Sequence, residues 1–177
     1  SGPERTTGRR LRNPLFRPRA AQVFQFSVSD PNSSADLRSA QVVINSALSA
    51  VNGCYLIYRL AERMLWLRDD AGQNWLGPVA PQSPGTLANS QCTVDAAASA
   101  ASLSSGGLTL SVALAFSPSF YGAKNVYLLA EDQSFLNSGW QLRGTWTPSE
   151  NQAPATVSVT PSSGQGLQQT FQFVTSD

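Results

Sequence analysis

The sequence contains no histidine, and only two cysteines, one methionine and one lysine occur among its 177 residues. Without histidine the chain cannot supply a Ser-His-Asp triad, a Cys-His dyad, a histidine-ligated zinc site or a covalent c-type haem. Charged residues make up 13% of the chain, a low fraction that excludes disorder driven by charge. No apolar run approaches the roughly 18 residues of a spanning helix, so we expect no transmembrane segment.

The net charge of +1 conceals a difference between the start of the chain and the rest. Residues 1–20 carry a net charge of +5, whereas the remainder, with six basic and ten acidic residues, carries −4. This basic extended arm contains Arg5, Arg9, Arg10, Arg12, Arg17 and Arg19. It could bind nucleic acid, an anionic membrane or an acidic neighbour, or act as a solvated linker. Nucleic acid is disfavoured because the arm lacks the interleaved aromatic residues that stack on bases.

Short β-branched and aromatic runs, separated by turn residues, recur along the chain, and helical periodicity is scarce. They predict strands over 22–28, 41–45, 54–60, 64–68, 75–77, 92–94, 108–116, 126–130 and 140–146. Residues 96–105 are expected to form a loop or a weak strand. Residues 117–124 are expected to form a short helical turn that crosses between sheets. The predicted fold is an all-β, immunoglobulin/fibronectin-III-like antiparallel β-sandwich with extended terminal arms.

An internal repeat is the most informative feature of the chain. Residues 22–30 read QVFQFSVSD and residues 169–177 read QTFQFVTSD, with six of nine positions identical at an offset of 147. Pro14 and Pro161 match at the same offset. We therefore predict an arm over 1–20, a sandwich module over 21–148 and a linker over 149–154. Residues 155–177 would duplicate the opening strand, as a donor strand or the start of a next repeat.

Several motifs resemble a repeated module of large secreted proteins of acidobacteria and related bacteria. They are Thr160-Pro161-Ser162-Ser163-Gly164, Cys54-Tyr55-Leu56, Asp70-Ala71-Gly72, Asn89-Ser90-Gln91-Cys92-Thr93 and Gly139-Trp140-Gln141-Leu142-Arg143-Gly144-Thr145-Trp146. The resemblance covers about residues 22–177, and the basic arm departs from it. It implies a secreted or cell-surface, disulfide-bearing, immunoglobulin-like repeat, and it supplies no catalytic residue.

The two cysteines, Cys54 and Cys92, each lie in a predicted strand. If they pair, the disulfide closes a long loop and staples the strands. The alternative is two buried free thiols in a cytosolic protein. The single methionine and lysine, with abundant Ser, Thr and Gln, favour a secreted bacterial protein and therefore the disulfide.

Candidate catalytic and ligand-binding groups are few, and we expect no enzyme activity, metal or cofactor. The glutamates Glu62, Glu131 and Glu150 do not indicate a paired-carboxylate cleft. Asp30, Asn32 and Asp36 could offer oxygen ligands to calcium. However, their loop is expected to lie at the opposite pole from Glu131 and Asp132, so these acids should not converge.

The tryptophans could form a platform for a glycan. Trp140 and Trp146 are six residues apart and are expected to face the same side of one strand. Stacking on sugar requires exposed, coplanar rings, and core packing is the alternative. A carbohydrate-binding or adhesion module acting on a cell-surface glycan is therefore the second functional hypothesis.

The first functional hypothesis is a structural module that assembles end to end. A lone strand with one apolar face is marginal alone and must join a sheet. If residues 22–28 occupy their own slot, the tail must pair elsewhere, by β-strand addition to a copy of the chain or to an adjacent repeat. The proposed assembly strand contains Gln169, Phe171, Phe173 and Thr175.

Overall fold

The computed structural model describes residues 21–150 and 154–176, which form an all-β structure with antiparallel pairing throughout. The basic arm and the centre of the expected linker lie outside the described residues. The strands are β1 (Gln22–Val28), β2 (Leu37–Asn45), β3 (Cys54–Arg59), β4 (Met64–Arg68), β5 (Trp75–Val79), β6 (Thr86–Ala88), β7 (Cys92–Ser104), β8 (Gly107–Phe116), β9 (Lys124–Asp132), β10 (Gln141–Trp146), β11 (Ala155–Thr160) and β12 (Gln172–Ser176).

The strands form three sheets. The first has the order β1-β8-β7-β6, the second β10-β9-β2-β3-β4-β5, and the third is the hairpin β11-β12. A 3₁₀ turn at Pro118–Phe120 connects β8 of the first sheet to β9 of the second, which confirms the predicted short helical turn between sheets. The other helical segment of the described residues, Ser34–Asp36, is equally short, and no helix there is long and apolar enough to cross a membrane.

The prediction for residues 92–105 was wrong in part, because β7 runs continuously over thirteen residues. The register of β7 against β8 shifts between Asp95 and Ala100. At this irregularity the Asp95 carboxylate accepts hydrogen bonds from the backbone N–H groups of Ala97 and Ala98. The Ser99 hydroxyl donates to the Asp95 carbonyl and accepts from the Ala113 N–H. Pairing with β8 therefore overrides the weak strand propensity of an Ala/Ser-rich segment.

The first and second sheets share one apolar core. The alternation of apolar residues along each strand places one face of each sheet inward, as the period of two requires. The first sheet buries Leu110 and Val112 of β8, and the second buries Val42 of β2 and Leu56 of β3 in the same cluster. Most of the side chains in this cluster are almost fully buried, so the two sheets depend on each other for burial.

Cys54 of β3 and Cys92 of β7 form a disulfide that links the two sheets, as predicted. Asn89 lies beside it and connects three segments. Its side-chain amide donates to the carbonyls of Gly53 and Arg68, each at 2.9 Å. Its Oδ1 accepts from the N–H groups of Gln91 and Cys92. The ends of β3, β4 and β7 are therefore held together by one covalent bond and one polar side chain.

The core is closed on the side of β5 and β6, but the described strands do not close it on the side of β1 and β10. On one side, the Leu87 methyl groups of β6 would lie 3.1 and 3.2 Å from a Cβ atom at Gly77 of β5, so these strands are in close contact. The connection between them also bonds to β7, since the Gln82 N–H donates to the carbonyls of Ala96 and Ser99. On the other side, the edge strands are β1 and β10. Within the part of the chain that the structure describes, no strand pairs with the outer edge of either.

We predict that Asn89→Ala lowers the free energy of unfolding by about 2–4 kcal/mol, because two carbonyls and two N–H groups lose their partner together. Asn74→Ala is the matched control, since Asn74 is exposed and its amide donates to a single carboxylate, that of Asp69. We expect the control to change stability by less than about 1 kcal/mol. Chemical denaturation measures both, and equal effects would contradict the connecting role of Asn89.

Replacing both cysteines by alanine should lower the free energy of unfolding by about 3–4 kcal/mol, because the disulfide closes a long loop of the unfolded chain. Mass spectrometry of the unreduced protein should show the loss of two hydrogens. Two alkylatable thiols in protein from an oxidising compartment would refute the pairing.

Candidate assembly surface

The hairpin β11-β12 exposes apolar side chains along its whole length. Its register places Val159 opposite Phe173 and Thr156 opposite Thr175. Residues directly opposite in an antiparallel pair share a face, so Val159 and Phe173 lie on the same face of the hairpin. Phe171 precedes Phe173 by two residues, and its ring stacks on the Phe173 ring. Every residue of β11 and β12 is solvent-exposed.

The residues of the proposed assembly strand take the following positions. The Phe171 and Phe173 rings stack with centroids 6.3 Å apart, and Thr175 pairs with β11. Gln169 precedes the strand and is exposed.

The same pair of rings occurs twice in the molecule, and the second copy is more exposed to solvent than the first. Phe24 and Phe26, the counterparts of Phe171 and Phe173, also stack, with centroids 6.2 Å apart. In the first sheet Phe26 is buried in the core and is 7% exposed, whereas Phe173 in the hairpin is 74% exposed. The duplicated sequence therefore has a covered copy and an uncovered copy of one apolar surface.

An open groove of about 730 Å³ runs between β1 and β10. All of β1 lines one wall, and β10 lines the other. Val126, Leu128 and Ala130 of β9 also line the groove, and they contact the core. At one end, Phe24 of β1 meets Trp146 of β10 edge to face, with ring centroids 5.0 Å apart. Within residues 21–150 and 154–176, the groove thus combines an unpaired strand edge with partly uncovered apolar side chains.

A β-bulge shapes the β10 wall of the groove. The register of β10 against β9 shifts between Leu142 and Gly144, and Gly144 lies opposite the buried Val126. Opposed residues share a face, so the missing side chain of Gly144 would point to the inner side. A Cβ built there would meet nothing within 4 Å. The groove therefore has free space at this position.

The groove was not predicted from the sequence, although the repeat contains a signal for it. Before the second copy, β11 reads ATVSVT at 155–160; at the same distance before the first copy, residues 8–13 read GRRLRN. The sequence that forms β11 before the second copy therefore has an arginine-rich counterpart before the first copy. Aligning the flanks of the repeat, in addition to the repeat itself, would have drawn attention to the outer edge of β1.

The expectation that Trp140 and Trp146 face the same side was wrong. Trp146 packs against Phe24 and the core, whereas Trp140 meets Tyr55 of β3 with centroids 5.6 Å apart. The bulge in β10 breaks the simple alternation that the prediction assumed.

The aromatic groups around Tyr55 meet edge to face. Tyr55 contacts both Trp140 and Trp75 at steep angles of 77° and 70°. The Arg68 guanidinium lies 4.0 Å from the Trp75 ring centroid. Burial raises the pKa of the Tyr55 hydroxyl above its ordinary value, and the charge of Arg68 partly opposes this shift. A platform that stacks on sugar requires coplanar rings, and these rings are not coplanar.

The expectation that the acids at the two poles would not converge was also wrong. One carboxylate oxygen each of Asp30, Asp36 and Asp132 lies within 4.8 Å of the others. The chain leaves β1 and β9 at the same end, because these strands run in the same direction on the two sheets. Carboxylates are calcium ligands, but such groups also lie together without an ion, and the trio alone assigns no metal. Glu131, next to this trio, forms an ion pair with Arg38 at 3.4 Å.

Comparison with protein families, curated proteins and solved structures finds no match to this chain.

The Asp132 carboxylate holds the loop that follows β9. Its Oδ1 accepts from the N–H groups of Ser134 and Leu136 at 2.8 and 2.9 Å, and Asp132 is buried.

We predict that Asp132→Ala lowers the free energy of unfolding by about 1–3 kcal/mol, because both N–H groups lose their acceptor. Asp132→Asn keeps one acceptor oxygen and should cost less. Thermal and urea denaturation compare the two, and a smaller loss for the alanine variant would contradict this role.

Proposed function

We propose that this chain is a secreted, immunoglobulin-like β-sandwich module with a non-catalytic, structural role. It assembles head to tail, because its C-terminal hairpin adds to a sheet of another copy or of an adjacent repeat module. The shared core of the two sheets, their disulfide and the family-like motifs support the sandwich. The disulfide also supports an oxidising, extracellular compartment.

The single observation that carries the proposal is the contrast in exposure between Phe26 and its counterpart Phe173. Phe26 is buried by the second sheet, while its counterpart Phe173 is exposed to solvent. Burying one phenylalanine side chain contributes on the order of 1.5–3 kcal/mol. An isolated two-stranded hairpin is marginally stable in water. The hairpin therefore gains both burial and backbone pairing when it joins a larger sheet.

β-strand addition fits the chemistry of the hairpin. In this mode, backbone hydrogen bonds supply affinity and alternate side chains supply specificity. Residues 154–176 contain no charged residue, so pairing does not require the burial of a charge from this segment. A contact between the end of one module and the body of the next is heterologous, and it generates an open filament unless rotation closes a ring.

We predict that deletion of residues 155–177 leaves a folded monomer and abolishes assembly, because β11 and β12 form a sheet of their own. Phe171→Asp with Phe173→Asp should have the same effect, since it places charges on the apolar face. The matched control is Leu48→Asp with Val51→Asp, which changes two exposed apolar side chains outside the hairpin. Size-exclusion chromatography with light scattering and electron microscopy measure the assembly state.

Salt separates this mechanism from one that depends on the basic arm. If the hairpin dominates, assembly should change little between low and moderate salt, because the interaction is apolar. If the arm with Arg5 and Arg19 dominates, assembly should weaken sharply, since exposed charges are screened within about 10 Å at 0.1 M salt. A full-length chain that remains monomeric at high concentration would refute the proposal.

A further inference from the structure

We infer that the groove between β1 and β10 is the acceptor of this assembly, and that β11 of a second copy occupies it. In this arrangement β11 pairs with the outer edge of β1 in the register that it keeps with its own β12. The inference rests on the proposed function, and it adds the acceptor site, the donor strand and the register.

The hairpin itself provides the template for this pairing. Within the hairpin, β11 pairs with a strand whose sequence duplicates β1. Each β12 residue has a counterpart in β1 that lies 147 positions earlier. When these counterparts replace the β12 residues in the register, Val159 lies opposite Phe26, Ser158 opposite Ser27 and Thr160 opposite Gln25. The outer edge of β1 therefore offers β11 the same alternation of side chains that it already pairs with.

The inferred register also places the apolar residue of β11 on the inner face of the sheet and the polar residue on the outer face. Phe26 points into the core and Ser27 is exposed. Since opposed residues share a face, Val159 would point inward, toward the apolar residues of β9 that line the groove, and Ser158 would point to solvent. The added strand would cover Leu128 and Ala130, which are only partly buried. Docking thus buries more apolar surface than β11 buries in the free hairpin, where every residue is exposed.

The length of chain before β11 favours a second copy over the chain's own strand. The Pro148 carbonyl is held in place by a hydrogen bond from the Gly122 N–H. Pro148 follows Trp146 by two residues, and the Trp146 ring contacts Phe24. Pro148 therefore lies near the start of β1. In the inferred register, Ala155 lies opposite Ser29, at the far end of β1. The distance along β1 from Gln22 to Ser29 is about 24 Å. The seven residue steps from Pro148 to Ala155 span at most about 25 Å when fully extended, so β11 of the same chain could reach this position only with a straight connection.

Cysteine cross-linking tests the register and the identity of the donor. One preparation carries Ser27→Cys and a second carries Ser158→Cys, and the two are mixed and oxidised. We expect a disulfide-linked dimer whose peptide map joins positions 27 and 158. The matched control replaces Ser158→Cys by Thr160→Cys, which lies two residues further along β11. Cysteines whose Cα atoms are more than 7 Å apart cannot be bridged without backbone movement, so the control should link only weakly.

A second experiment blocks the groove without touching the hairpin. Gly144→Trp places a ring in the open space on the inner side of β10, and we expect a folded chain that no longer accepts β11. Leu142→Trp is the matched control, because Leu142 of the same strand is exposed and does not line the groove, and it should assemble normally. Circular dichroism and thermal melting show that both variants fold.

The outcomes separate the two proposals. Full-length protein that assembles, but gives no 27–158 link and is indifferent to Gly144→Trp, overturns the acceptor site and leaves strand addition intact. A chain carrying both cysteine substitutions that links within itself at high dilution overturns the second copy as donor. Absence of any assembly by the unmodified chain overturns the proposed function itself.

Discussion

Packing of the inner faces of two sheets into one apolar core is the interaction on which the rest of the molecule depends. Neither sheet buries its apolar face alone, because residues of both, such as Val112 and Leu56, lie in the same cluster. The disulfide and the Asn89 hydrogen bonds then hold strand ends from both sheets at one end of this core. Local polar contacts therefore reinforce an arrangement that burial of apolar surface creates.

The same packing produces the groove, because the two sheets differ in strand number. Four strands of the first sheet face a second sheet of six, within one core. On the side of β5 and β6 the strands and their connection close the edge. On the side of β1 and β10 the outer edges are unpaired in the described residues, and partly buried apolar residues of β9 line the space between them. Natural sheets usually protect such an edge, so an unprotected edge beside an apolar surface is suited to accept a strand.

Most of the strands could be predicted from the sequence, because their apolar residues alternate and turn residues bound them. The predicted ranges 22–28 and 64–68 match β1 and β4 at both ends. The turn between β8 and β9 also followed from a local pattern. The strands and this turn depend on interactions between a few neighbouring residues. The cysteine pairing followed instead from the presence of only two cysteines and from a composition that favours a secreted protein.

The remaining features depend on which strands become neighbours, and local patterns do not contain that information. The Ala/Ser-rich part of β7 is a strand because β8 pairs with it. The convergence of Asp30 with Asp132 requires that β1 and β9 end at the same pole. The placement of Trp140 and Trp146 on different sides follows from one bulge near Gly144. The groove is the extreme case, since it is defined by a strand position that the described residues leave open.

The position of the disulfide has a consequence for the response of the folded chain to tension. If the chain is pulled at its two ends, the force acts through every residue that is not bypassed by a covalent bond. The bond between Cys54 and Cys92 bypasses 38 residue steps, which corresponds to about 130 Å of extended chain. A module that unfolds under load therefore cannot lengthen by that amount while the bond is intact. Reduction would release this hidden length, so the redox state of the surroundings would set how far an unfolding module can extend.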